Sequence, residues 1–226
     1  MQRSVSHTQA VLFDFDGTLG RSLSAWTLAY QEALQALGVD RRFEEVRDAC
    51  FSKRGIEVQA EYSIKDLAAF GEDVWKRVLA KMPNIEMYPQ VAETLQDLSE
   101  SYFKLSIVTN SRRGHVQPVL KRWAIEERFE ALVAIDDVSN GKPNPEPIHR
   151  ALEGLKVPPR QAWMVGDSPV DIEAGKAAGV RTIAFSPEEN HSFFSRELLE
   201  RSEPTFVARS YEEVRKIVTE RAYGMG

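Results

Sequence analysis

Six short apolar runs, with helix-like segments between them, constrain this chain more than any other feature. They are "AVLF" (10–13), "LSIV" (105–108), "ALVAI" (131–135), "AWMV" (162–165), "TIAF" (182–185) and "TFVA" (205–208). Each has the length of a buried strand, and none alternates apolar with polar as a half-exposed strand would. From the second run onward they are separated by segments such as "VAETLQDL", "EPIHRALEGL" and "SPVDIEAGKAAG". That alternation predicts an α/β fold, a parallel sheet covered by helices on both faces in three α/β/α layers.

Between the first and second runs lie about ninety residues, far more than one crossover helix needs. An insertion is expected there. Within it "AWTLAYQEALQALG" places Trp26, Tyr30, Leu34 and Leu37 on one helical stripe, and Gly38 is a good stop. Further Ala-, Glu- and Leu-rich sequence runs to "WKRVLAKM", with Pro83 as a breaker. The expected organisation is a core of residues 1–20 and 87–226 with a small all-helical cap over 21–86, and no internal repeat or low-complexity tract is visible.

Composition excludes several classes. A formal charge of -5, with Lys and Arg scattered and no aromatic interleaving, disfavours a nucleic-acid partner. No run reaches the 18 or so apolar residues of a membrane helix, so no membrane partner is expected. Cys50 is the only cysteine, and the first residues lack a signal-peptide apolar region, so a cytoplasmic location is expected. "NHS" at Asn190 then has no meaning as a glycosylation sequon.

Ligands of open parallel sheets bind beyond the carboxyl ends of the strands, and there the polar residues share a theme. Asp14 and Asp16 follow the first run, Thr109 and Asn110 the second, and Asp167 then Asp171 the fourth; Lys142 lies in the loop "NGKPNPEP". Carboxylates converging on one rim repel unless a cation intervenes, and an all-oxygen set without His or Cys points to Mg²⁺. His7, His115, His149 and His191 are scattered away from these ends and are expected as surface or loop residues, which disfavours zinc.

A carboxylate can attack phosphorus and form an aspartyl-phosphate. Asp14 can attack while Asp16 protonates the leaving oxygen and later activates water. Gly17 allows a tight turn and close approach of backbone N–H groups to phosphate oxygens, Thr109 and Asn110 can donate to those oxygens, and Lys142 can offset their charge. The "GK" is not a P-loop, since Asp136 stands where its first Gly would be and Pro143 follows the Lys.

In order, "DFDGTL", "VTN", "GKPNPEP" and "GDSPVD" resemble the four motifs of the haloacid dehalogenase superfamily, over nearly the whole chain. The insertion resembles the helical cap of its phosphoglycolate phosphatase and beta-phosphoglucomutase branch. The resemblance implies a Rossmann-like core, Asp14 as nucleophile, Asp16 as general acid/base, and Thr109 and Lys142 on the transferring phosphoryl group. It further implies Mg²⁺ on Asp14, the backbone carbonyl of Asp16 and Asp167, with Asp171 beside it as a ligand or supporting partner. Members that cleave carbon–halogen bonds lack the second Asp of "DFD", so dehalogenation is disfavoured.

The expected function is Mg²⁺-dependent hydrolysis of a small phosphomonoester, a phosphorylated metabolite such as phosphoglycolate, a sugar phosphate, a nucleotide or pyrophosphate. A phosphomutase would use the same Asp14, and an inactive binding protein would keep the fold. Asp171 also fits a purely structural role: Ser168, Pro169 and Asp171 read as N-cap, first helical residue and capping-box acid. Arg21 stands where the cap branch usually has an acid; with Lys53 and Arg54 it is a candidate reader of a second anionic group, and Arg112 and Arg113 either aid anion capture or face water.

Overall fold

The central apolar runs become strands because their residues find apolar cover on both sides, while the two edge strands, Ala131–Val133 and Phe206–Ala208, are only partly covered. The computed structural model describes residues 9–52 and 62–222. Its strands are β1 (Gln9–Phe13), β2 (Phe103–Val108), β3 (Ala131–Val133), β4 (Ala162–Gly166), β5 (Arg181–Phe185) and β6 (Phe206–Ala208). They form one parallel sheet in the order β3-β2-β1-β4-β5-β6. All six expected strands are present, and Lys53 and Arg54 lie outside the described residues.

Among the described residues the helices are α1 (Leu23–Ala36), α2 (Phe43–Ser52), α3 (Leu67–Lys81), α4 (Val91–Glu100), α5 (Arg113–Arg122), α6 (Glu146–Leu155), α7 (Pro169–Ala178), α8 (Arg196–Arg201) and α9 (Tyr211–Ala222). Successive strand residues point to opposite faces, so Val11, Phe13, Leu105, Ile107, Trp163 and Val165 pack under α4, α5 and α9. Ala10, Leu12, Val108 and Met164 meet Ile148, Leu152 and Leu155 of α6 and Ala174 and Ala178 of α7. Phe13 and Trp163 are fully buried, and truncating either to Ala would cost about 3–5 kcal/mol.

Three helices carry weak signals of their own in the sequence, for legible reasons. Helix α5 has Pro118 in its interior, α8 is only six residues long, and α9 buries only Tyr211, Val214 and Val218 among its charged residues. On α1 the expected stripe holds through Leu34, but Leu37 is the C-cap and stays exposed, with Gly38 in the left-handed region just beyond.

Residues 23–81 supply α1, α2 and α3, which pack on one another beside the sheet. The chain crosses to and from them along a short antiparallel contact. Gly20 bridges Met87, the Arg21 N–H donates to Glu86 O at 2.9 Å, and the Tyr88 N–H donates to Leu19 O at 3.1 Å. We propose the boundaries of the helical unit at this crossing, residues 21 and 86. No helix among the described residues is long and apolar enough to cross a membrane.

The strand order places β1 between the two arms of the sheet, where the chain reverses direction of winding. A crevice opens beyond the carboxyl ends of the strands at such a switch point. Asp14 follows β1 and Asp167 follows β4, so the fold itself sets both acids at its mouth.

Candidate active site

Asp14 is held at its main chain, where its N–H donates to Val165 O of β4 at 2.9 Å. Its side chain is buried, and so are Thr109, Lys142, Asp167 and Asp171. Carboxylate oxygens of Asp14, Asp167 and Asp171 all lie within 4.8 Å of one another.

One cation faces them. The Lys142 ammonium donates to Asp171 Oδ1 at 2.5 Å and to Val108 O at 2.8 Å, and stands 2.8 Å from Asp14 Oδ1 as an ion pair. Its three hydrogens suffice for all three oxygens, so one ammonium ties two carboxylates to the main chain of β2. Asp167 Oδ1 accepts from Thr18 Oγ1 at 3.3 Å, while its buried Oδ2 has no partner.

Burial pushes the Asp14 carboxyl up to about 7; Lys142 pulls the other way, and Asp171 and Asp16 reinforce the rise. Burial also raises Asp167 well above the usual carboxylate range, with Asp171 and Asp14 adding to it. Burial alone would lower Lys142, but Asp14 and Asp171 together push it up, so it stays an ammonium. With all four ionised the cluster carries two uncompensated negative charges in a dry rim. A divalent cation fits: the donors are hard oxygens, and the orphaned Asp167 oxygen lacks the partner a buried acceptor requires.

Asp171 caps α7 and also holds Lys142. Its Oδ2 accepts from Ser168 Oγ at 2.5 Å and Ser168 N–H at 3.1 Å, closing a capping box on α7, while its Oδ1 takes Lys142. Gly166 makes this possible, because a Cβ there would stand 2.3 Å from the Asp171 side chain.

Two expectations change in detail, at Gly17 and Asn110. Gly17 sits in the left-handed region at φ 72°, but its N–H is committed to Gly20 O at 2.8 Å. Its lack of a side chain serves Asp167 instead, since a Cβ would fall 2.0 Å from Asp167 Oδ2. Asn110 does not offer its carboxamide to a ligand: it donates to Lys142 O and accepts from the Lys142 N–H, both at 2.8 Å, so it fixes the loop that carries the ammonium. The Asp16 carboxylate stands outside the metal-competent group. It accepts from Ser22 Oγ at 2.5 Å and Trp26 Nε1 at 2.8 Å on one oxygen, and from Ser111 Oγ on the other.

The arginines and, among the described histidines, His115 also differ from expectation; His7 lies outside the described residues. Arg21 is spent on Glu189, with Glu86 at 3.8 Å, at the crossing between sheet and helices, and lines a cavity of about 520 Å³ behind it with Tyr88, Phe185 and Tyr211. Arg112 grips Glu72 of α3 through both carboxylate oxygens, and Arg113 is held by Asp137 Oδ2 at 2.6 Å and Leu132 O at 2.7 Å, so neither faces an incoming anion or water alone. His115 is buried on α5, with its Nε2 2.8 Å from Trp75 O; His149 is exposed on α6 as expected, and His191 pairs with Ser186.

Sequence reasoning missed Asn190, whose carboxamide is buried rather than displayed. It donates to Gly17 O at 2.8 Å and accepts from Tyr88 OH at 2.5 Å, while Tyr211 OH donates to Thr18 O at 3.0 Å. These side chains pin the turn after the paired acids. No local pattern signals them, since each is distant in sequence from the residue it holds.

A parallel sheet with a carboxylate-lined switch point, a buried ammonium and a helical unit inserted after the first strand is the frame of an α/β enzyme with its site at the carboxyl ends of the strands. The sequence matches the family described as haloacid dehalogenase-like hydrolase over residues 11–185. It is 32% identical over 219 residues to Pyrophosphatase PpaX of Bacillus cereus (strain Q1), covering 93% of this chain and 96% of that one. It is 37% identical over 138 residues to Pyrophosphatase PpaX of Halalkalibacterium halodurans, a match spanning 61% of the chain and 62% of that relative. The fold aligns with a crystal structure of a putative phosphoglycolate phosphatase from Lactobacillus plantarum at a TM-score of 0.81 and 23% identity, covering 94% of this chain and all of that one. The chain belongs to the haloacid dehalogenase-like hydrolases, and its class as an enzyme is that of the phosphatases among them.

Proposed function

We propose that the chain hydrolyses a small phosphomonoester or pyrophosphate with Mg²⁺, through an aspartyl-phosphate on Asp14. The observation that carries this reading is the buried Lys142 ammonium shared by Asp14 and Asp171, beside the partnerless oxygen of Asp167. Asp14, Asp167 and the main-chain carbonyl of Asp16 would hold the ion, with Asp171 supporting. A bound Mg²⁺ would offset the repulsion among these carboxylates and part of the charge on the phosphoryl oxygens.

The residues then divide the work. The Asp14 carboxylate attacks phosphorus as the P–O bond to the leaving group breaks, and Asp16 gives that oxygen its proton. In the second half Asp16 takes a proton from water, the water oxygen bonds to phosphorus, and the Asp14–phosphorus bond breaks to release inorganic phosphate. Lys142 and Thr109 face the phosphoryl oxygens, and Asn110 keeps Lys142 in place. The helical layer over the mouth limits water while the mixed anhydride exists. The name of the PpaX relatives makes pyrophosphate the first compound to test.

Phosphate release from pyrophosphate, p-nitrophenyl phosphate and some tens of phosphometabolites tests the proposal. Release that requires Mg²⁺ and falls at least ~10³-fold in Asp14→Asn is expected, as for loss of a covalent nucleophile. Isomerised sugar phosphate without phosphate release would replace hydrolysis by a mutase. Full activity in Asp14→Asn would remove the nucleophile.

A further inference from the structure

We infer that Trp26 is a positioning residue for the acid/base reaction: its indole N–H fixes the Asp16 carboxylate and leaves Oδ2, on the Ser111 side, as the oxygen that carries the transferable proton. The inference rests on the acid/base reading of Asp16 above.

A carboxylate two bonds from the backbone turns freely unless its oxygens are held. Asp16 Oδ1 takes two donors, Trp26 Nε1 at 2.8 Å and Ser22 Oγ at 2.5 Å, while Oδ2 takes only Ser111 Oγ. The donors differ in kind. An indole N–H can only donate, whereas a serine hydroxyl rotates and can accept instead. A proton on Oδ1 would therefore face an N–H that cannot turn away. On Oδ2 it faces a hydroxyl that can become its acceptor. Ser111 borders the phosphoryl side of the site, since its own N–H donates to Thr109 Oγ1 at 3.0 Å. The indole thus selects the oxygen on the Ser111 side by blocking the other.

The indole is itself held by contacts that span the helical layer and the core. Trp26, on α1, meets Trp75 of α3 edge to face at 4.9 Å. Trp75 stacks at a tilt on His115 of α5, 5.1 Å between rings, and its carbonyl bonds the same imidazole. The Arg112 guanidinium lies 4.8 Å over Trp75 while gripping Glu72 of the same helix. Shifting α3 on α5 would move Trp75, and through it the indole. The donor on Asp16 is therefore held in place by contacts among α1, α3 and α5.

The test uses leaving groups. An alkoxide needs the Asp16 proton to depart; p-nitrophenolate barely does. kcat/KM reports the steps up to phosphorylation of Asp14, so the second half-reaction does not enter. Trp26→Phe keeps an aromatic ring and removes the donor. It should lower kcat/KM for alkyl phosphates ~10- to 30-fold and for p-nitrophenyl phosphate no more than ~3-fold, the scale of one hydrogen bond to a charged group. Substituting benzothienylalanine at 26, which puts sulfur in place of the N–H in the same shape, should give the same split and guards against a folding defect in Trp26→Phe. Asp16→Asn separates the two readings. If Asp16→Asn loses alkyl substrates selectively while both changes at 26 lower all substrates equally or none, the inference fails and the acid/base reading stands. If Asp16→Asn shows no leaving-group dependence, the acid/base role fails and this inference with it.

Discussion

Ionising the buried nucleophile should weaken the protein that carries it. Burial holds the Asp14 carboxyl at about 7 against an ordinary 3.8, so the folded chain binds a proton there more tightly than the unfolded chain does. Stability from this group is greatest at low pH and declines as pH climbs from 3.8 through 7. Relative to the acid limit this group lowers stability by about 2 kcal/mol at pH 5, where the folded chain keeps it protonated, and by about 4 kcal/mol at pH 8, where it is ionised, since each unit is worth about 1.4 kcal/mol. Asparagine has the size of the neutral carboxyl and carries no such penalty, while Lys142 keeps Asp171 and Val108 O. Asp14→Asn in EDTA should therefore melt higher than the wild type at pH 8, on the order of 10 °C for a chain of this size, and the gap should shrink by about half at pH 5. Thermal unfolding of both proteins across pH 5–8.5, followed by circular dichroism, measures it. A gap that is absent at pH 8, or that widens toward acid, would show that the carboxyl is not held in the strained state on which the argument depends.

Two further predictions concern the cation and the turn. The ionised fraction of Asp14 rises about tenfold between pH 6 and pH 8, so the apparent Mg²⁺ affinity, read by calorimetry or by the melting-temperature increment, should strengthen by about that factor; a flat profile would detach the ion from Asp14. Gly17→Ala places a Cβ 2.0 Å from Asp167 Oδ2 at φ 72°, which should lower stability by roughly 1–2 kcal/mol through the backbone alone and drop phosphate release below about 1% of wild type by displacing Asp167. Wild-type kinetics in that variant would place Asp167 outside the reaction.

The sheet was legible because burial on both faces makes whole strands apolar, and a run such as "AWMV" needs no partner to be recognised. The acids were legible for the opposite reason: Asp14 and Asp167 follow apolar runs that would exclude them without a task. What stayed hidden depends on residues remote in sequence. Trp26 fits an apolar helical stripe equally well whether its N–H is idle or on Asp16, ten residues away. Asn190 carried only a sequon without meaning until the fold brought Gly17 O to it from 173 positions away. The arginines misled because charge predicts an attraction but not which carboxylate wins it; Arg112 met Glu72 before any ligand. Helix α5 was hidden by Pro118, whose lost backbone bond is offset by Val116, Val119 and Leu120 packing under the sheet.

The same electrostatics decide why the site needs both a fixed and an exchangeable cation. Lys142 is bonded to the main chain at Val108 O and locked to Asp171, so its charge is present at every stage and cannot leave with product. It balances one carboxylate, and two charges remain in excess before any phosphate arrives. A phosphate dianion entering that rim would meet net repulsion, in a setting where burial leaves water little room to screen it. The Asp14 carboxyl at about 7 is the protein's response without an ion, giving up the nucleophile's charge to relieve the cluster. A divalent ion reverses that concession, so the ionised Asp14 and the anionic substrate become compatible at the same pH. Replacing Lys142 by a neutral residue would leave this second charge to do both tasks, which is why the ammonium is buried where the ion cannot substitute for it.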